Sequence, residues 1–264
     1  MFRSIFLILM LLSLSLHAKD TIVITGSSTI APVISDLAKF YEAKNKDVRI
    51  DVQTGGSSRG IADARKDLSN IGMVSRALKP DEKDLNNFTF ALDGIAIIVH
   101  KTNPISQLSK EQIVDIYKGE INNWKVLKGA DQKIVVVNKA EGRSTLELFI
   151  AFFGLKNSEI KADIVIGDNE QGIKTVSTNK NSIAYVSIGT AEYNASVGVP
   201  LKLLDFQGMS AKVENIKNGT YPLTRELNLV TKLRPTGHID GFIKFVMSPE
   251  ARSIIKDQFF VPTH

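Results

Sequence analysis

A chain of 264 residues is long enough to bury a substantial core, and it has no cysteine, so neither disulfides nor thiolate metal sites contribute to it. The formal charge of +5 comes from Lys and Arg scattered along the sequence, with no basic run interleaved with aromatics. That pattern argues against nucleic acid as a partner and favours a small anionic ligand. Only four histidines are present and none forms a paired-His motif, so nothing points to metal catalysis.

Residues 1–18 read as a signal peptide. Arg3 precedes an apolar run from Ile5 to Leu16, and Leu16-His17-Ala18 ends on a small residue suited to cleavage. The run is short for a membrane span. The mature protein is therefore expected to begin near Lys19 and, lacking a cysteine for lipid attachment, to move freely in a bacterial periplasm.

From there strand-like and helix-like segments alternate, which predicts an α/β fold with mostly parallel sheets. Thr21–Thr25 leads through Gly26-Ser27-Ser28-Thr29 into a helical stretch at Ile30–Ala43. Val48–Val52 leads through Gly55-Gly56-Ser57-Ser58-Arg59-Gly60 into Ile61–Lys66, and Asn70–Val74 is a short strand ending at Ser75-Arg76. Phe88–Leu92 is followed by a turn at Asp93-Gly94 and a second run, Ile95–His100. Ser109-Lys110-Glu111-Gln112 has the form of a helix start, and Trp124 falls in a loop. Ile134–Val137 leads through Glu141-Gly142-Arg143-Ser144-Thr145 into Leu146–Phe153, and a further unit covers Ile164–Ser187. A polar, looser stretch runs from Asn194 to Thr220, then a strand at Leu227–Thr231 and one helix over Gly237–Lys256.

The three polar turns are the chemically telling feature. Each sits where a strand hands over to a helix, and a helix N-terminus leaves backbone N–H groups unpaired under partial positive charge. Hydroxyls, N–H groups and the guanidiniums of Arg76 and Arg143 are the donors that saturate a tetrahedral oxyanion. Taken singly, Ser and Thr at such turns are ordinary helix caps. Crossovers at Ala91–His100 and Arg225–Lys232 would divide the chain into two lobes, residues 20–92 with 224–264 and residues 93–223. The early turns would then face the Gly142–Thr145 turn across a cleft, at the carboxyl ends of strands.

In this order, Gly26-Ser27-Ser28-Thr29-Ile30, Thr54-Gly55-Gly56-Ser57-Ser58, Ile71-Gly72-Met73-Val74-Ser75-Arg76, Asp93-Gly94-Ile95-Ala96, Ile183-Ala184-Tyr185-Val186-Ser187 and Tyr221-Pro222-Leu223-Thr224-Arg225 resemble a known family. It is that of the phosphate-binding periplasmic proteins of ABC-type phosphate importers, in their shorter form. The resemblance covers nearly all of the mature chain. It implies a type II periplasmic binding protein fold, two α/β lobes closing on dehydrated phosphate, with no catalysis, no cofactor and an ABC permease as partner.

It also implies phosphate contacts at Ser28, Thr29, Ser57, Ser58, Ser75, Arg76, Ser144 and Thr145. Two departures are visible. Lys139 stands where the family often has Arg, so either Lys139 or Arg143 supplies the cation of that turn. Ser75 stands where longer members have an Asp that accepts the proton of hydrogen phosphate, and Asp93 is the substitute candidate. A monomer binding one phosphate is expected. Sulfate, molybdate or tungstate binding is the alternative. A serine hydrolase is a remoter one, since Gly56-Ser57-Ser58-Arg59-Gly60 is a literal G-x-S-x-G and His238 follows in hydrolase order.

Overall fold

Strand β1 (Asp20–Gly26) alternates buried and accessible side chains before it becomes fully buried, and helix α1 (Ala31–Lys44) buries Ile34, Leu37, Ala38 and Tyr41 on one face. Both belong to a computed structural model that describes residues 19–264; the expected signal peptide lies outside the described residues. Strand β2 (Val48–Thr54) pairs in parallel with β1, helix α2 (Ser57–Arg65) follows, and β3 (Ile71–Val74) flanks β1 on its other side. Then comes β4 (Asn86–His100), one unbroken strand of 15 residues.

The middle of the chain contributes β5 (Gln107–Leu108), α3 (Lys110–Lys118), β6 (Val135–Lys139), α4 (Ser144–Phe153), β7 (Ile164–Ile166), α5 (Asn169–Thr178), β8 (Ser182–Ser187) and α6 (Ile188–Ser196). Next are β9 (Leu201–Leu203), β10 (Asp205–Phe206) and α7 (Val213–Lys217). The chain then returns through β11 (Thr224–Thr231), α8 (Gly237–Val246), α9 (Arg252–Asp257) and β12 (Val261–Pro262).

The strands join in the order β2-β1-β3-β11-β4-β8-β6-β7, with β9 and β12 also on β4. The sheet is mixed: β1–β3 and β6–β8 are parallel sets, while β4 and β11 run antiparallel to their neighbours. The apolar clusters follow the same division. Residues from 22–91 and 227–260 pack together, and residues from 95–223 form separate clusters, one containing the buried Trp124, whose Nε1 donates to the Asn181 carbonyl at 2.9 Å.

The structure departs from four local expectations. The Asp93-Gly94 pair is not a turn but the midpoint of β4, paired with Thr224 and Arg225 of β11; two cross-strand ladders override the local turn preference of Asp-Gly. Helix α2 begins at Ser57, four residues before Ile61, so Ser57, Ser58 and Arg59 form its first turn. The terminal helix is broken after Val246, because Pro249 cannot continue the hydrogen-bond ladder. The stretch 194–220, expected to be loose, holds β9, β10 and α7.

Candidate functional site

A small polar pocket opens where α1, α2 and α4 begin. It is lined by Ser27, Ser28, Thr29, Gly56, Ser57, Ser75, Lys139, Arg143, Ser144, Thr145 and Gly167, and encloses about 200 Å³ including its mouth. That is below the size of ordinary organic-ligand pockets. Helices α3, α5 and α6 have side-chain N-caps, from Ser109, Asp168 and Ser187. None of α1, α2 and α4 has one: their cap positions hold Ile30, Gly56 and Arg143, which offer no capping oxygen.

Hydroxyls of the pocket meet one another. Ser75 is the hub: its Oγ accepts from Ser27 Oγ at 2.8 Å, shares a 2.6 Å hydrogen bond with Ser144 Oγ and lies 3.5 Å from Ser57 Oγ. Its backbone N–H donates to Ser57 Oγ at 3.1 Å. Ser27, Ser57, Ser75 and Ser144 are all buried. Gly56 allows the close approach of α2 to the opposite turn: its φ is +94°, and a Cβ there would meet the Gly142 carbonyl at 2.5 Å.

Positive charge enters from two sides. Lys139, at the end of β6, is only 3 % exposed. Burial is the main cause that pulls its pKa down to about 7, helped by the charges of Arg225 and Arg143 and opposed by Asp168. Arg143 precedes α4 and also lines the pocket. No carboxylate is among the lining residues.

Behind this wall stands Arg225. It donates to Thr145 Oγ1 at 2.9 Å and to Thr29 Oγ1 at 3.1 Å, and Asn169 Nδ2 also donates to Thr29 Oγ1 at 3.0 Å. A hydroxyl oxygen engaged as acceptor keeps its own hydrogen for a further acceptor, so Thr29 and Thr145 are oriented as donors. Arg225 is fixed in turn by Asp93, which accepts from Nε at 3.0 Å and Nη2 at 2.7 Å and, on its other oxygen, from the Gly189 N–H at 3.1 Å.

Of the expected site residues, the structure gathers Ser28, Thr29, Ser57, Ser75, Arg143, Ser144 and Thr145 at the pocket. Asp93 is one layer behind, occupied by Arg225. Arg76 is outside the wall as well. Its Nη1 and Nη2 donate to Glu82 at 2.6 and 2.9 Å, and its Nε lies 3.0 Å from Glu147. Ser58 Oγ faces away and donates to Glu147 Oε1 at 3.1 Å. His238 is paired with Asp47 at 3.2 Å beside the start of β2, so the G-x-S-x-G match brings no imidazole to Ser58.

Ser27 and Gly56 belong to the expected turns but not to the expected contacts, and Gly167 and Arg225 are site elements that the sequence reading does not single out. Arg225 carries a partial signal, as the last residue of the Tyr221–Arg225 motif. Among the described residues there is no cluster of His, Cys, Asp and Glu that could hold a metal ion, and no helix long and apolar enough to cross a membrane.

Residues 14–250 match the family model of the PBP superfamily domain. The chain is 26% identical over 250 residues to the phosphate-binding protein PstS of Bacillus subtilis, covering 93% of this chain and 81% of the relative. It is 27% identical over 248 residues to PstS of Borreliella burgdorferi, covering 90% and 88%. A crystal structure from Clostridium perfringens, described as a phosphate ABC transporter substrate-binding protein with bound phosphate, superposes with a TM-score of 0.85 at 34% identity, covering 93% of this chain and all of that one. An ABC-type phosphate transport receptor from Vibrio cholerae gives 0.69 at 31% identity, covering 92% and 99%. With the fold, the pocket and these relatives in agreement, the chain belongs to the PBP superfamily and, within it, to the substrate-binding proteins of phosphate ABC transporters.

Proposed function

We propose that the protein captures inorganic phosphate in this pocket and delivers it to an ABC permease. The observation that carries the reading is the wall itself: hydroxyls, three helix starts without side-chain caps, and Lys139 and Arg143, around a space smaller than ordinary organic-ligand pockets. Ser28, Thr29, Ser57, Ser75, Ser144 and Thr145 donate to the anion's oxygens, while Lys139 and Arg143 balance its charge. Asp93 and Arg225 act from behind, by orienting Thr29 and Thr145.

Residues 20–92 with 224–264 form one lobe and 93–223 the other, hinged where β4 and β11 cross between them. The protein works as a monomer in the periplasm, binds no nucleic acid and turns nothing over; a phosphonate probe should leave Ser58 unlabelled.

A second tetrahedral oxyanion is a live reading for one reason: no carboxylate lines the pocket to reject an unprotonated dianion. Calorimetric titration of ligand-stripped protein with phosphate, arsenate, sulfate and molybdate tests both. At a hundredfold excess over Kd, phosphate should raise Tm by about 5–11 °C. A Tm unmoved by millimolar phosphate would remove the reading.

A further inference from the structure

Glu147 lies in the first turn of α4, three residues beyond Ser144, and is not itself part of the pocket wall. Three groups from the opposite side of the cleft converge on its carboxylate. Ser58 Oγ donates to Oε1 at 3.1 Å, Lys79 Nζ lies 2.9 Å from Oε2, and Arg76 Nε lies 3.0 Å from the same oxygen. Beside it, the Ser58 N–H reaches the Gly142 carbonyl at 3.3 Å. We propose that Glu147 is a closure latch, a positioning residue that holds the two lobes together over the anion without touching it. The inference rests on the phosphate reading and lobe division above.

The arrangement of charges supports a releasable contact rather than a fixed core pair. Arg76 is almost fully buried, and burial works against its charge. Its hydrogen bonds to Glu82 and the charge of Glu147 outweigh that and hold its pKa above the usual value. Glu82 comes from the same side of the cleft as Arg76 and takes both terminal nitrogens. When the lobes part, Arg76 keeps that two-pronged partner, while Glu147 and Lys79, both already partly exposed, return to water together with the Ser58 hydroxyl. The ion pair therefore costs little to break and is remade on closure.

Position makes the contact consequential. Ser144 and Thr145 share the first turn of α4 with Glu147, and Ser57 sits beside Ser58 on α2. Gripping Glu147 with Ser58 thus fixes the spacing between two of the helix starts that form the pocket.

Simple electrostatics predicts the opposite sign from a latch. A carboxylate near an anion seat repels the anion, so removing its charge would on that ground tighten binding. A latch predicts weakening. Glu147→Gln should lower phosphate affinity about tenfold, the loss of a hydrogen-bonded charge contact, with the loss appearing mainly as faster release. Adding Lys79→Met to Glu147→Gln should cost less than its effect alone, because both act through one contact.

A second readout is independent of phosphate. The chain has no cysteine, so spin labels at Leu68→Cys and Val165→Cys, both highly exposed and on opposite sides of the cleft, give a clean interlobe distance. Glu147→Gln should shift that distribution toward longer distances with phosphate and without it. Phosphate affinity that is unchanged or higher in the variant, or an unchanged distance distribution, overturns the latch. If the parent protein takes up no phosphate, the phosphate reading falls by itself, and the distance comparison without anion still decides the latch.

Discussion

Arg225 and Asp93 stand directly opposite each other in the antiparallel pairing of β11 with β4, and the guanidinium places two hydrogen bonds on one carboxylate oxygen. Their side chains are 1% and 0% exposed. A buried pair of this kind gains little over an apolar replacement, but removing one partner strands the other charge. Its use here is geometric: it aims one guanidinium at Thr29 from the first part of the chain and at Thr145 from the middle.

Asp93→Asn should therefore destabilise the protein by about 3–5 kcal/mol, as expected for breaking a buried pair, and weaken phosphate and sulfate binding by similar factors. Urea denaturation and paired calorimetric titrations check this. A changed phosphate-to-sulfate ratio would mean that Asp93 reaches the anion after all.

Lys139 gives the site a pH dependence whose sign follows from its depressed pKa of about 7. In the unfolded chain its amine would titrate near 10.4. Between pH 7 and about 10 the unfolded state holds the proton and the folded state does not, so the unliganded protein gains stability from this group as pH rises. An anion favours the charged amine, so binding takes up a proton above pH 7. Sulfate, which does not titrate there, should lose affinity with pH by at most about tenfold per unit, the limit for one linked proton. Lys139→Arg should flatten the profile, and a parent profile already flat from pH 7 to 9 would contradict the coupling.

Ser75→Asp should change selectivity rather than fold. The carboxylate would enter the centre of the hydroxyl cluster formed by Ser27, Ser57 and Ser144. There it accepts the proton of hydrogen phosphate but repels sulfate. The phosphate-to-sulfate affinity ratio should rise about tenfold or more, the scale of one matched against one repelled charged contact. Competition calorimetry on the variant and its parent reads it directly.

Much of this site is legible in the sequence because its parts are local. Gly26–Thr29, Gly55–Ser58 and Gly142–Thr145 each follow a β-branched run and precede an amphipathic one, and all three meet at the pocket. What escaped depends on distant partners. Arg76 has the composition of an anion ligand, but Glu82 and Glu147, six and 71 positions away, claim it. Asp93-Gly94 reads as a turn because nothing local reveals that β11, some 130 residues later, will pair with it. Arg225 lies in a segment whose apolar pattern says only strand, and its role appears once Thr29 and Thr145 are brought to either side of it.

The 15-residue strand β4 has a consequence for how the protein comes apart. Its first half pairs with β11 and β12, its second half with β8 and β9. On neither side of this strand can the clusters melt without stripping a central strand from the sheet that serves the other side. Heating should thus produce one cooperative transition rather than two. The single tryptophan, Trp124, is buried in the cluster formed by residues 95–223, so its fluorescence follows that half alone, while far-UV circular dichroism follows the whole chain. The two signals should nevertheless coincide in midpoint, and a fluorescence transition displaced from the dichroism curve would show that the long strand does not bind the halves into one folding unit.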